Sequence, residues 1–163
     1  MAVTADIVRT WRGPRAVMRG LLAQGKREDR ALAYLIVFCL LVFVAQWLTR
    51  AAAGFDLAPG TEPRELVQLM TYELFAWITV WPLAFYALAA VSHLIAKAFR
   101  GRGTHYNARL ALFWSLLASV PLLLLYGLMV GFLGPVTGTH LVGAAWVLAF
   151  GWIWLLSLWE AEQ

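Results

Sequence analysis

The chain has 163 residues, of which 62% are hydrophobic and 13% are charged, whereas soluble domains have ~45–50% apolar and ~25% charged residues. A soluble domain of this length cannot bury so much apolar surface, so the composition indicates an integral membrane protein. The net charge is +4, but the basic residues are grouped by position, which fits membrane topology and not nucleic-acid binding. The one cysteine, Cys39, excludes a disulfide within one chain and a cysteine-based metal site.

Residues 1–30 are basic and are predicted to be a cytoplasmic amphipathic segment on the membrane surface, with a kink or restart at Gly13-Pro14. Apolar and basic residues occupy different helical faces, which is typical of a helix in the headgroup layer. The apolar face carries Trp11, Met18, Leu21 and Leu22, and the basic face carries Arg12, Arg15 and Arg19. Each basic residue adds about 1 kcal/mol of attraction to an anionic surface. The alternative is a helix that docks a partner protein.

Residues 31–159 contain four apolar runs and are predicted to form the transmembrane domain, followed by a cytoplasmic tail at 160–163. The runs are about 31–48, 74–95, 110–133 and 140–159. Each is close to the ~20 residues that span a membrane, and lipid offers no water to backbone groups, so all four are predicted helices. The sequence therefore predicts an all-α integral membrane protein with four transmembrane helices and an N-terminal amphipathic surface helix. The first run is expected to be a retained anchor because a long basic segment precedes it.

The distribution of basic residues predicts the topology. The loop between the second and third runs carries Lys97, Arg100, Arg102 and Arg109, whereas the loop between the first and second runs has more acidic than basic residues. The positive-inside rule then places both termini and the 97–109 loop in the cytoplasm. The predicted location is a cell inner (plasma) membrane.

Few residues in the apolar runs suit catalysis. Glu73 and His93 lie at opposite ends of the second run, ~30 Å apart along a helix, and are interpreted as interface positions in contact with headgroups and water. With His105 and His140 equally dispersed, no metal cluster or nucleophile–base pair is evident. The chain is therefore predicted not to be an enzyme and to need no cofactor or metal.

Small residues and prolines mark the helix contacts. Gly127 and Gly131 form a GxxxG pattern, which permits close helix approach either within the bundle or between copies. Pro82 and Pro121 interrupt the second and third runs and are interpreted as packing kinks, the alternative being the broken helices of a transporter.

The loop KAFRGRGTHYNAR at 97–109 lacks the GK[ST] ending of a phosphate-binding loop. It is interpreted first as a connector between membrane helices. Its basic and glycine residues are the candidate contacts for lipid phosphates or an acidic partner, namely Lys97, Arg100, Gly101, Arg102 and Gly103.

The stretch HLIAKAFRGRGTHYNARLALFWSLLASVPLLLLYGL resembles the Yip family of Ypt/Rab-interacting membrane proteins. The N-terminal IVRTWRGPRAVMRGLLAQGKREDRALAYL resembles the opening of its short bacterial members. The resemblance implies a multi-span helical fold. Eukaryotic members bind prenylated GTPases in vesicle traffic, but this chain lacks their long cytoplasmic domain and has four predicted spans where they have five. The resemblance therefore implies a fold more than a function.

Together these features predict a non-catalytic membrane protein with an organising, accessory or partner-binding role. Its expected partners are membrane lipids, anionic ones among them, and either another membrane protein or further copies of itself. The alternative is a small transport component that works as an oligomer.

Overall fold

The computed structural model describes residues 3–52, 63–99, 101–134 and 136–163. Of these residues 91% are helical and none is in a strand. The elements are α1 (Val3–Arg12), α2 (Pro14–Ala23), α3 (Glu28–Ala52), α4 (Pro63–Phe75), a π-helical turn (Ala76–Val80), α5 (Trp81–Ala98), α6 (His105–Leu133) and α7 (Thr137–Glu162).

Four helical stretches are long and apolar enough to cross a membrane: Glu28–Arg50, Val67–Ala98, His105–Leu133 and Thr137–Glu162. The prediction of an all-α protein with four candidate transmembrane helices is confirmed. The loop between the first two spans falls largely on residues 53–62, which lie outside the described part of the chain, as does Arg100.

Helix α6 lies at the centre of the bundle. It packs along α3 and α7 and also contacts α5 and α1, so every residue from Leu110 to Val120 is buried. The hydroxyl groups of the fully buried Ser115 and Ser119 donate to carbonyl oxygens of α6 itself, at 2.6 and 2.9 Å. Because these bonds lie within one helix, two polar side chains are accommodated in an apolar core without help from water.

The GxxxG pattern of α6 faces α3. A Cβ atom on Gly131 would lie 3.2 Å from the Cα atom and the carbonyl oxygen of Thr49, and one on Gly127 would lie 3.4 Å from the Thr49 hydroxyl. That hydroxyl donates to the Gly127 carbonyl at 3.0 Å. Of the two alternatives for this pattern, the structure places these glycines in a contact inside the chain, where small residues let two backbones approach.

The two prolines have different surroundings. Pro82 is buried and stands in the first turn of α5, directly after the π-helical turn. Since proline has no N–H and its ring clashes with the carbonyl four residues earlier, a wider turn at this point relieves the conflict. The N–H of Trp81 accordingly reaches the carbonyl of Ala76. Pro121 is exposed and lies inside the continuous helix α6, where the fully buried half of that helix ends.

The N-terminal helices α1 and α2 pack against the side of the bundle. The indole N–H of Trp11 donates to the Ala118 carbonyl at 3.1 Å, and the indole N–H of the buried Trp114 donates to the Thr10 hydroxyl at 3.1 Å. Ala118 lies near the middle of α6. Met18, predicted to face the headgroup layer, is completely buried by protein. Helices this short are marginal alone, so packing on the bundle stabilises them.

Candidate functional site at the basic end of the bundle

Most basic side chains lie at the end of the bundle where α5 ends, α6 begins and α7 ends; this end is called the basic end below. The turn between α5 and α6 rests there on the last turn of α7. The N–H of Arg102 donates to the Glu162 carbonyl at 2.8 Å, and the side-chain amide of Asn107 donates to the Ala161 carbonyl at 3.1 Å. These bonds satisfy carbonyl groups that the end of a helix leaves without partners.

A buried histidine–glutamate pair lies beneath this turn. The Nδ1 atom of His93 in α5 is 2.9 Å from the Oε1 atom of Glu162 in α7, and each side chain is only 6% exposed. The other carboxylate oxygen, Oε2, accepts a hydrogen bond from the N–H of Gly103 at 3.1 Å. One carboxylate thus holds three elements together: α5, α7 and the turn that leads into α6.

One interpretation is wrong at this place, and one predicted boundary differs from that of the structure. His93 was interpreted as an interface residue in contact with water, but it is buried against Glu162, and its ring centroid is 4.1 Å from that of His105. Residues 160–163 were predicted to be a tail, but α7 continues to Glu162, whose side chain is buried. The predicted topology places His93 and Glu162 at the same end of the bundle. This was the one signal in the sequence that could have suggested their contact.

Gly101 and Gly103 are required by close packing rather than by a left-handed backbone. A Cβ atom on Gly103 would lie 2.5 Å from the Ala161 carbonyl oxygen, and one on Gly101 would lie 2.7 Å from Oε2 of Glu162. Neither distance is compatible with a real Cβ atom. The two glycines therefore let the turn sit directly on the end of α7.

One set of basic side chains at this end is paired within the protein. Arg19 of α2 contacts Glu160 of α7 at 2.8 Å, and Arg109 of α6 contacts Glu28 of α3 at 2.7 Å. The hydrogen bond and the charge of Glu160 raise the pKa of the Arg19 guanidinium above its ordinary value, so this side chain stays charged. Arg19 was predicted to contact a partner or lipid, and the structure shows it engaged inside the chain.

A second set is exposed and forms no ion pair with a described carboxylate, although the charge of Arg15 also acts on Glu160. It consists of Arg12, Arg15, Lys97 and Arg102. All four belong to the predicted contact residues. The basic end therefore presents cations that its own carboxylates do not neutralise.

The opposite end of the bundle contains a smaller polar cluster. Arg50 of α3 contacts Glu73 of α4 at 2.7 Å, and the indole N–H of Trp77 in the π-helical turn donates to the Gln46 side chain at 3.1 Å. Glu73, interpreted as an interface residue in contact with headgroups and water, remains partly exposed and also forms an ion pair that joins two helices. This cluster fixes the widened turn against α3.

Within the described ranges, no group of three or more His, Cys, Asp or Glu side chains could hold a metal ion. The four apolar helices fit a multi-pass membrane protein. No protein-family model matches the sequence, and no curated protein or solved structure matches it. The resemblance to the Yip family therefore stays a prediction that rests on the quoted residues.

Proposed function

We propose that this chain is a non-catalytic, accessory membrane protein that binds an acidic membrane-protein partner through its N-terminal helices α1 and α2. The observation that carries the proposal is the exposure of Arg12 and Arg15, at the joint between α1 and α2, where neither side chain forms an ion pair among the described residues.

The depth of Arg12 supports a membrane-embedded partner. Trp11 bonds to Ala118, which is about 12 Å inside the predicted span 110–133 at ~1.5 Å rise per residue. Arg12 follows Trp11 directly. A charged side chain facing lipid near the membrane centre costs up to about 2.5–3.5 kcal/mol, and a carboxylate supplied by a partner helix removes much of that cost.

The surroundings of these arginines support a fixed docking surface. The helix pair α1–α2 is held by Trp11 and by the Thr10–Trp114 hydrogen bond, and α2 is held to α7 by the Arg19–Glu160 pair. A surface whose backbone is already ordered loses less entropy when it binds a partner. The proposed contact with a partner thus uses Arg12 and Arg15, which form no ion pair that stabilises the bundle.

The proposal requires the basic end to face the cytoplasm, which cysteine labelling tests. Gly20 in α2 and Gly138 in α7 both have open space around a Cβ atom, while Cys39 is buried. We expect a membrane-impermeant maleimide to label Gly138→Cys in intact cells and Gly20→Cys only after the membrane is permeabilised. Labelling of Gly20→Cys in intact cells would reverse the orientation.

The partner is tested by cross-linking in the native membrane, followed by gentle purification and mass spectrometry. The double variant Arg12→Glu/Arg15→Glu is expected to lose a stoichiometric membrane-protein partner, because two attractions become repulsions. The control is Lys26→Glu/Arg27→Glu, which makes the same change of charge at side chains that are 68% and 63% exposed and that form surface ion pairs with Glu28 and Asp29. Tryptophan fluorescence and size-exclusion chromatography check that each variant is folded.

Three outcomes would contradict the proposal. The wild-type protein yields no protein partner, the arginine variant keeps its partner, or the control loses it equally. A homo-oligomer without any other protein would instead favour a transport component, and flux across proteoliposomes would then be measured. Loss of a bound lipid alone would assign Arg12 and Arg15 to anionic headgroups.

A further inference from the structure

A groove of about 670 Å³ lies between α5 and α7 at the basic end. Each of these helices packs on α6, and the groove lies beside the point where His93 of α5 contacts Glu162 of α7. Its walls are large apolar side chains that remain well exposed, among them Phe99 (85%), Leu155 (63%) and Trp159 (63%). The volume is within the ~300–1,000 Å³ of sites that hold small ligands.

The position of the groove indicates a lipid chain as its occupant. Most of the wall residues belong to the candidate membrane spans Val67–Ala98 and Thr137–Glu162, so these apolar sides open toward the hydrocarbon of the bilayer. The tryptophan Trp159 stands near the end of its span, the level at which tryptophan is enriched in membrane proteins. An acyl chain entering beside Trp159 and Ile95 would therefore leave its headgroup at the mouth of the groove.

The charge at the mouth selects an anionic headgroup. Arg102 lines the groove and Lys97 lies on the last turn of α5; both are exposed, and neither has an acidic partner among the described residues. Glu162 also lines the groove, but its two oxygens are already bonded to His93 and to the N–H of Gly103. The positive charge of Arg102 is thus left for a ligand, and a guanidinium matches a phosphate with two parallel hydrogen bonds.

We infer that the groove between α5 and α7 binds one phospholipid of net negative charge. Its phosphate is held by Arg102, with Lys97 adding attraction, and an acyl chain lies against Phe99, Leu155 and Trp159. This site goes beyond the proposed function and does not depend on it, because the partner contact was assigned to Arg12 and Arg15 on the N-terminal helices.

Native mass spectrometry of the purified full chain tests the inference. The probes are phosphatidylglycerol and phosphatidylcholine with identical acyl chains, added to the delipidated protein in detergent. The wild type is expected to retain one phosphatidylglycerol at least about tenfold more tightly than phosphatidylcholine. Arg102→Ala is expected to lower phosphatidylglycerol binding by about tenfold, because the charge-assisted contact to its phosphate is lost. Phosphatidylcholine binding is expected to fall less, because its choline cation already opposes the attraction to Arg102.

Two further variants separate the chain contact from general electrostatic attraction. Ala96→Trp fills the groove without changing charge and is expected to remove retention of both lipids. Arg15→Ala removes an exposed cation outside the groove and is expected to leave retention as in the wild type. The inference is overturned if Arg102→Ala binds phosphatidylglycerol normally, if both lipids bind equally to the wild type, or if only Arg15→Ala loses the lipid.

The lipid site and the proposed protein partner are tested by independent experiments. The lipid is measured on the purified protein with defined probes, whereas the partner is identified in native membranes. A chain that keeps its lipid and captures no protein would contradict only the proposed function, and the reverse result would contradict only the lipid site.

Discussion

Replacing Glu162 with alanine is expected to destabilise the protein by about 1–3 kcal/mol for each polar group that it leaves without a partner. The carboxylate bonds to the His93 ring and to the N–H of Gly103; His93 and Glu162 are buried, and Gly103 is partly buried. Alanine would leave a buried imidazole and a backbone N–H without an acceptor. Unfolding of the detergent-solubilised protein, followed by tryptophan fluorescence, measures the change.

The neighbouring Gln163 supplies the control, because it is exposed at the same end of α7. Gln163→Ala is expected to unfold as the wild type does. Glu162→Gln is expected to lose less than Glu162→Ala, since an amide oxygen still accepts from Gly103 and the amide N–H can donate to His93. Equal stability of Glu162→Ala and Gln163→Ala would show that the pair does not hold the basic end together.

The same pair predicts a non-additive response. His93→Ala removes the same contact as Glu162→Ala, so the double variant is expected to be more stable than the sum of the single losses implies. The coupling free energy is expected to be about 0.5–3 kcal/mol, as for residues in direct contact. Additive losses would indicate that each residue acts through other neighbours.

Hydropathy predicts the four spans but not the contact between His93 and Glu162. Lipid forces each long apolar run to satisfy its own backbone hydrogen bonds, so composition alone predicts helices such as α3 and α7. The contact between His93 and Glu162 depends instead on how α5 and α7 are rotated about their axes. Hydropathy carries no information on that rotation when a helix is apolar on every side.

The N-terminal helices show a related limit. The amphipathic pattern correctly separates Met18 from Arg12 and Arg15, and Gly13-Pro14 marks the break between α1 and α2. The pattern cannot distinguish an apolar face covered by lipid from one covered by protein. The deciding groups are the indole N–H of Trp11 and that of Trp114, whose partners lie more than a hundred residues away in the sequence.

The sequence shows glycine in the α5–α6 turn, but it does not show why glycine is needed there. A turn between two helices accepts glycine for its backbone freedom, and that was the interpretation of Gly101 and Gly103. In the structure the only described glycines with positive φ are Gly25 and Gly134. The turn glycines are instead set by contact with Glu162 and Ala161, which only the folded chain brings near.

That contact makes Gly103 the most sensitive position of the turn to a single added methyl group. In Gly103→Ala the new Cβ atom would lie 2.5 Å from the Ala161 carbonyl oxygen and 2.8 Å from the Glu162 carboxylate. Because the first of these atoms is backbone, the turn must lift from the end of α7. We expect a loss of about 1–3 kcal/mol, as for overpacked sites, together with faster proteolysis of the turn.

Gly151 provides the matched control for that substitution. It lies in α7, and a Cβ atom there would meet nothing within 4 Å, so Gly151→Ala is expected to gain up to about 1 kcal/mol from helix propensity. Gly101→Ala, which would place Cβ 2.9 Å from the Ala96 carbonyl oxygen as well as near Glu162, is expected to be destabilised like Gly103→Ala. If all three alanine variants behaved alike, close packing of the turn on α7 would not be the reason for its glycines. A loss confined to Gly101 and Gly103 would instead establish that the turn carrying Arg102 is held in place by the end of α7.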